Sequence, residues 1–343
     1  MKGPILGWDV GGANLKAARL ADDDTSEPSM LQCPFPLWRE PHRLAAVLLE
    51  AADRLGGART MAVTTTAELA DCFATKREGI AFVLDAFRAA FPDVQPWVYS
   101  VDGRFRSAEA ARHRPHRVAA ANWMASATLV ARTCPDALFV DVGSTTTDVI
   151  PIVAGRVAVR GRTDPSRLRS GELVYTGRLR TPLCAIVRAV PLGGRRCRIA
   201  AEHFAVAADV HRWLGRIDES EYTCETPDGR GRSRLDAAAR IARMVCADLE
   251  MIGLGEVDAI ADHISRAQVR QIASGIRQVM RRLGPACPRV AVLAGEGTFL
   301  ARAAAEEVGL APRDLADEVG SDAARSAPAA AVAYLLAAMA DKE

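Results

Sequence analysis

Ile5-Leu6-Gly7-Trp8-Asp9-Val10-Gly11-Gly12-Ala13-Asn14-Leu15-Lys16 and Phe139-Val140-Asp141-Val142-Gly143-Ser144-Thr145-Thr146-Thr147-Asp148-Val149-Ile150 repeat one pattern. Each is an apolar run ending in Asp-Val-Gly, continued by small turn-forming residues and a second apolar run. That pattern predicts a β-hairpin whose tip exposes backbone N–H groups and a carboxylate. Such a tip cradles phosphate. Two copies well separated in the chain predict a duplicated domain that closes on a phosphorylated ligand from both sides.

Outward from the first copy, a polar connection is expected over Asp22 to Pro36, then a helix over about 41–55 with Leu44, Val47, Leu48, Ala51 and Leu55 at helical spacing. A strand over Thr60 to Thr65, a helix over about 78–91, a short strand over 94–101 and a helix over about 119–132 follow. Strands alternate with helices, which is the pattern of an α/β unit. The second copy restarts the sequence at Leu138. From Arg160 to about Arg198 regular periodicity weakens and arginine dominates, with Asp164 and Glu172 as the only acids. Helices are expected at Ala200 to Leu214, Arg234 to Leu249 and Ser265 to Leu283, then a strand at 289–294 running into Gly295-Glu296-Gly297 and a terminal Ala-rich helix. The expected organisation is a first domain over 1–135 and a second over 136–343. The second carries an insertion at about 160–285, and the C-terminal helix is free to pack back on the first domain.

An apolar share of 49% and a charged share of 25% place the chain among globular proteins and exclude a disordered or fibrous class. A net charge of +2 argues against a nucleic-acid partner, as does the near absence of aromatics, essentially Tyr175, from the arginine-rich stretch. The longest apolar candidate, Ala329 to Ala340, is too short to cross a bilayer, and no signal-peptide pattern precedes the first strand. The cytoplasm is therefore the expected location, with no membrane partner. The eight cysteines contain no Cys-x-x-Cys pair, which argues against a zinc or iron-sulfur site and against a disulfide framework. Lysine occurs only at positions 2, 16, 76 and 342, so a lysine inside a motif marks a site needing a compact charge.

Asp9 and Asp141 occupy equivalent positions and are candidate Mg²⁺ ligands, while the glycines after them let phosphate approach the backbone. Asp-Gly also simply makes hairpin turns. The candidate phosphate-binding set is Gly11, Gly12, Asn14, Lys16, Gly143, Ser144, Thr145 and Thr146, joined by Gly295 and Gly297. Lys16 is read as neutralising phosphate or as an exposed strand residue, and Asp148 as a metal ligand, a base or a turn cap. Glu68, Asp71 and Lys76 fall on a loop after a strand, and Asn122-Trp123 offers a hydrogen bond and a stacking surface, or core. The arginine-rich stretch fits a clamp on a small anionic substrate through bidentate guanidinium contacts, or a solvated surface.

These segments carry a resemblance. The ordered hairpins followed by Ala294-Gly295-Glu296-Gly297 resemble the actin, sugar-kinase and heat-shock-chaperone superfamily, in its hydantoinase/oxoprolinase-like branch. The longer motifs 65–71, 122–123, 162–165, 169–177, 180–182 and Asp228-Gly229-Arg230-Gly231 resemble the tetrahydromethanopterin-linked one-carbon-transfer family. The resemblance implies two actin-like (RNase H-like) domains around a central cleft. It also implies an ether-forming transferase of methanofuran or methylofuran biosynthesis, in a setting of formaldehyde oxidation. Such an enzyme condenses an aminomethylfuran methyl diphosphate with the phenol of a tyramine or tyrosine derivative and releases diphosphate. Lys16 would then assist the leaving group, and Asp148 or Glu68 would be the general base. Asp71, Lys76, Asn122, Arg162, Arg169 and Arg180 would be the substrate contacts. A kinase or an ATP-dependent hydrolase of the same superfamily is the alternative, and it makes ATP a second candidate cofactor; a homo-oligomer is compatible with either.

Overall fold

The computed structural model describes residues 3–21 and 27–340. The first apolar run becomes strand β1 (Ile5–Val10), buried along its whole length because it has a neighbour on each side. Its sheet is completed by β2 (Asn14–Leu20), β3 (Ser29–Pro34), β4 (Thr60–Thr65), β5 (Trp97–Tyr99) and β6 (Phe105–Ser107), in the order β3-β2-β1-β4-β5-β6. β2 runs antiparallel to β1 and to β3, whereas β4 is parallel to β1 and β5 to β4. The register sets Asp9 opposite Lys16 on one side and Thr64 on the other, at the end of the ladder. β3 is a correction: it forms inside the stretch expected to be a connection, where polar and proline residues suit an edge strand. Residues 22–26 of that connection lie outside the described residues.

Strands β7 (Ala137–Val142), β8 (Thr147–Val153), β9 (Arg156–Val157), β10 (Leu173–Val174), β11 (Ala189–Leu192), β12 (Arg195–Arg198), β13 (Val290–Ala294) and β14 (Ala311–Asp314) follow. The second sheet has the order β10-β8-β7-β13-β14, with β9 beside β8, and β11 and β12 form a separate pair. The central strand, its hairpin partner and the two strands on its other side recur in the same order in both sheets, so the repeated sequence is a repeated fold.

The chain forms two compact units: residues 1–139, 150–167 and 313–343 make the first, and residues 140–149 and 168–312 the second. The chain thus passes between them several times rather than once near residue 135. β10 lies within the expected insertion, but two residues are too few to show a strand period.

In the first unit, Leu6, Trp8, Val10 and Val63 pack against Leu44, Leu48, Val83 and Phe87 of the helices Leu44–Arg54 and Lys76–Ala90. Trp8 meets Phe87 edge-to-face at 5.8 Å between ring centroids, an arrangement worth about 0.5–1.5 kcal/mol beyond area burial. The terminal helix Ala327–Ala340 packs on β1, β2 and β4. Its small Ala329 and Ala330 meet Ala18, which explains its composition.

In the second unit, Leu183, Val210, Trp213, Ile241, Val257, Ile260 and Ile264 form an apolar centre. The helix Leu254–Leu283 runs 30 residues, starting well before the expected Ser265. Gly253 and Gly255 read as a break, yet Val257, Ile260, Ala261 and Ile264 continue the buried face. The helix expected from Ala200 begins only at Ala207. Beside this centre, fully buried Arg240 donates to Asp209 Oδ1 at 2.7 Å and to Asp228 Oδ1 and the Gly231 carbonyl at 3.0 Å. Tyr222 and the Val206 amide also donate to Asp209, each at 2.9 Å. The Asp228 to Gly231 motif is thus half of a buried charge network. No helix among the described residues is long and apolar enough to cross a membrane.

Candidate active site

Each Asp-Val-Gly tip is fastened by its carbonyls and leaves amides open. In the first, the Gly12 and Ala13 carbonyls accept from the Leu37 and Phe35 amides, each at 2.9 Å, while the Gly11 amide closes the turn on the Asn14 carbonyl at 3.0 Å. In the second, the Gly143 carbonyl accepts from the Arg178 amide at 2.9 Å, and the Ser144 carbonyl from the Leu179 and Arg180 amides at 3.0 and 2.9 Å. Among the described residues, nothing accepts from the amides of Gly12, Ala13, Ser144, Thr145 or Thr146. Consecutive open amides with their carbonyls turned away form an anion-binding concavity. The two tips reach the same state with unrelated clamping segments, 35–37 and 178–180.

Gly177 permits the second clamp. A Cβ there would lie 2.5 Å from the Thr145 nitrogen and 2.7 Å from the Gly143 oxygen. Gln268 then secures the segment, donating to the Gly177 carbonyl at 2.8 Å and to Thr176 Oγ1 at 3.0 Å. Its Oε1 is 2.9 Å from His211 Nε2. Burial, and after it Arg216, push the His211 pKa down to about 3, so the ring is neutral and its Nε2–H donates to that oxygen. Gly177→Ala is therefore expected to weaken binding of inorganic diphosphate roughly tenfold or more while costing stability about 1–3 kcal/mol. Calorimetric titration beside a thermal melt checks this, and unchanged diphosphate affinity would sink the tip's role.

The Gly295-Glu296-Gly297 turn follows β13. Gly295 has φ +84 and lies where any side chain would strike Asp141, while the Gly297 amide donates to the Val142 carbonyl at 2.8 Å. Both glycines are therefore required by the second tip. Glu296 faces Arg178 at 3.5 Å, a residue the sequence reading did not single out, and Arg178 also pairs with Glu221 at 2.9 Å.

Lys16 sits opposite Asp9 in the ladder and donates to the Arg325 carbonyl at 3.2 Å. Asn14 begins β2, and Asp148 stands in β8 opposite Leu173. Among the described residues, no group of three or more His, Cys, Asp or Glu side chains is arranged to hold a metal ion. Asp9 and Asp141 each supply one carboxylate beside open amides. That donor set fits Mg²⁺, which keeps several waters and binds through one or two carboxylates plus phosphate oxygens.

The loop after β4 completes a corner with the first tip. The Thr66 amide donates to the Val10 carbonyl at 2.9 Å, and Thr66 and Ala70 bound the space beside Gly11 and Gly12. Between them lies Glu68, 1% exposed, with neither carboxylate oxygen in a hydrogen bond. Burial pushes its pKa up to about 7, while nearby backbone amides and Lys76 oppose the rise and Asp164 adds to it. Lys76 opens the helix Lys76–Ala90, with its Nζ 3.8 Å from Glu68 Oε1 and 2.6 Å from Asp164 Oδ2. The loop after β4 therefore bounds the first tip through Thr66 and Ala70 and carries between them a buried carboxyl of raised pKa.

The remaining candidates scatter. Asp71 and Arg162 are exposed in the first unit, and Arg169 is exposed in the second, with its carbonyl taken by Gln278. Arg180 belongs to the second unit's clamp. Asn122 turns its Oδ1 back to the Trp123 amide at 2.9 Å, and Trp123 is buried beneath Arg167, whose guanidinium carbon is 4.2 Å from the ring centroid. Asp164 and Arg167 were not among the candidate site residues. Asp164 lies inside the 162–165 motif and Arg167 two residues beyond it, and the helix Asp164–Ser170 spaces them one turn apart, which was the available signal.

Residues 59–339 match the family described as hydantoinase/oxoprolinase. The chain belongs to that family. Along its full length it is 34% identical to a protein of Methanocaldococcus jannaschii named (4-{4-[2-(gamma-L-glutamylamino)ethyl]phenoxymethyl}furan-2-yl)methanamine synthase, all of which is covered. A protein of Methanococcus vannielii with the same name is 31% identical over 203 residues, 58% of this chain and 90% of that one. Among solved structures, nucleotide-free acetone carboxylase superposes with a TM-score of 0.52 at 11% identity, covering 90% of this chain and 68% of that one. That likeness concerns the fold alone. It agrees with the actin-like reading and with the repeated strand order.

Proposed function

We propose that this hydantoinase/oxoprolinase family member is an ether-forming synthase like its two methanogen relatives. It would join an aminomethylfuran methyl diphosphate to the phenol of a glutamyltyramine or other tyramine or tyrosine derivative. The phenolic oxygen attacks the furfuryl carbon, the carbon–oxygen bond to diphosphate breaks with its electron pair leaving on diphosphate, and the phenolic proton passes to Glu68. The observation that carries this chemistry is the buried Glu68 carboxyl on the loop whose Thr66 and Ala70 bound the first tip. A buried carboxyl with a pKa of about 7 is half ionised near neutrality, where a general base contributes on the order of 10² to 10⁴ in rate.

The open amides and Lys16 stabilise the charge that grows on the leaving diphosphate. When bound, Mg²⁺ would neutralise part of that charge, held by Asp9 or Asp141 together with phosphate oxygens. The product belongs to methanofuran-type cofactors, which suits a cytoplasmic role beside tetrahydromethanopterin-linked one-carbon chemistry. Incubating the pure protein with the furan diphosphate, glutamyltyramine and Mg²⁺, with and without ATP, tests the reading. Ether and diphosphate in equal amounts without ATP are expected. Product only when ATP is cleaved would overturn it in favour of an ATP-dependent kinase or hydrolase.

A further inference from the structure

Glu68, Lys76 and Asp164 form one charge arrangement. Lys76 is held by two carboxylates unequally, at 2.6 Å from Asp164 and at 3.8 Å from Glu68. The closer contact is a hydrogen-bonded ion pair; the longer one lacks a hydrogen bond. Asp164 lies 88 residues further along the chain, on the short helix Asp164–Ser170. The ammonium reaches one acid and only approaches the other.

We infer that Asp164 is a positioning residue that draws the Lys76 ammonium away from Glu68 and so keeps Glu68 able to take up a proton near neutral pH. The inference rests on the proposed base role only for its effect on turnover. An ammonium in direct contact with a carboxylate favours the ionised form and lowers its basicity. Were Asp164 neutral, Lys76 would be free to close on Glu68, whose unfilled oxygens are the nearest alternative. Lys76 side-chain torsions span that difference without backbone movement.

Among the described residues, Lys76 and Asp164 are the charged side chains that act on Glu68. From the helix Lys76–Ala90, Arg77 is exposed and Glu78 accepts from the Ala74 amide at 2.9 Å. The segment 119–121 is all alanine, Arg167 is stacked on Trp123, and Asp71 on the loop itself is exposed. The plainer account is a solvent-touching ion pair that merely ties two segments together, since the side chains of Lys76 and Asp164 are 26% and 18% exposed. Such a pair would alter stability slightly and leave the Glu68 titration where it is.

The two accounts separate by the sign of a shift. Full-length protein carrying carboxyl-¹³C glutamate, with the Glu68 resonance assigned by its loss in Glu68→Gln, reports the Glu68 pKa without substrate. Asp164→Asn is expected to lower it by about one unit or more and Lys76→Met to raise it by about one unit. The double variant should return above the Asp164→Asn value. In turnover, the acid limb of kcat/KM should follow the same directions, and kcat of Asp164→Asn above pH 8 should fall roughly threefold to tenfold as the base weakens. A Glu68 resonance that does not move in Asp164→Asn, or moves upward, overturns the inference. A resonance that moves as expected while the pH limb stays fixed upholds the positioning role and overturns Glu68 as the base.

Discussion

Glu68→Gln is expected to lower kcat about 10² to 10⁴-fold and, above neutral pH, to make the protein more stable. The two effects share one cause. Glu68 is removed from water, and that burial raises its pKa from the ordinary 4.5 to about 7 against the opposing pull of nearby backbone amides and Lys76. The folded form therefore holds a proton that the unfolded chain has already released. Below pH 4.5 the group is protonated in both states and the burial of its charge costs nothing. Between pH 4.5 and 7 stability falls as the unfolded chain releases its proton first, and above 7 the loss is constant at about 3 kcal/mol. Glutamine, always neutral, avoids that loss. Melting curves of both proteins at pH 4 and pH 8 should coincide in the acid and separate in favour of the variant at pH 8. A difference that ignores pH would mean that the carboxyl is not buried as an unpaired acid. Intact turnover would remove Glu68 from the chemistry.

Arg240→Met is expected to cost about 3–5 kcal/mol. Arg240 and Asp209 are both fully buried, and removing the guanidinium leaves the Asp209 carboxylate with only Tyr222 and the Val206 amide. Burial already pushes the Asp209 pKa up, and Arg240 is the main charge that opposes it, so the variant should bury a protonated acid or unfold. Replacing both, as Arg240→Met with Asp209→Leu, should recover much of the loss because no orphaned charge remains. Arg88→Ala offers the contrast. Its pair with Asp85 has side chains 74% and 47% exposed, and its removal should change stability by less than about 1 kcal/mol. Chemical denaturation of the three variants at one pH measures all of this, and similar losses for Arg240→Met and Arg88→Ala would contradict the buried network.

The hairpins were legible because their information is local. A strand period, an Asp-Val-Gly end and a run of small residues all lie within twelve positions, and β1–β2 and β7–β8 form where that pattern says. The glycines at 295 and 297 were legible as a turn, though not their reason, which is the close approach of Asp141 and Val142. β3 and β10 were not legible. The first is an edge strand without a buried face, and the second is two residues long, so neither has a period to detect. The start of the long helix was hidden by Gly253 and Gly255, whose propensity the buried Val257, Ile260 and Ile264 override.

What the sequence determined by itself was the existence, order and kind of the two tips, along with membership of a family with long shared motifs. Periodicity and turn chemistry act between near neighbours, so they are written in the order of residues. The tertiary structure alone decided which candidates act together. Lys76 and Asp164 meet across 88 positions, and Gln268 reaches Gly177 across 91. It also decided that Glu68 is a buried carboxyl of raised pKa rather than an ordinary exposed acid. Burial sets that difference, through the cost of placing charge away from water, and burial is a property of everything packed around a residue.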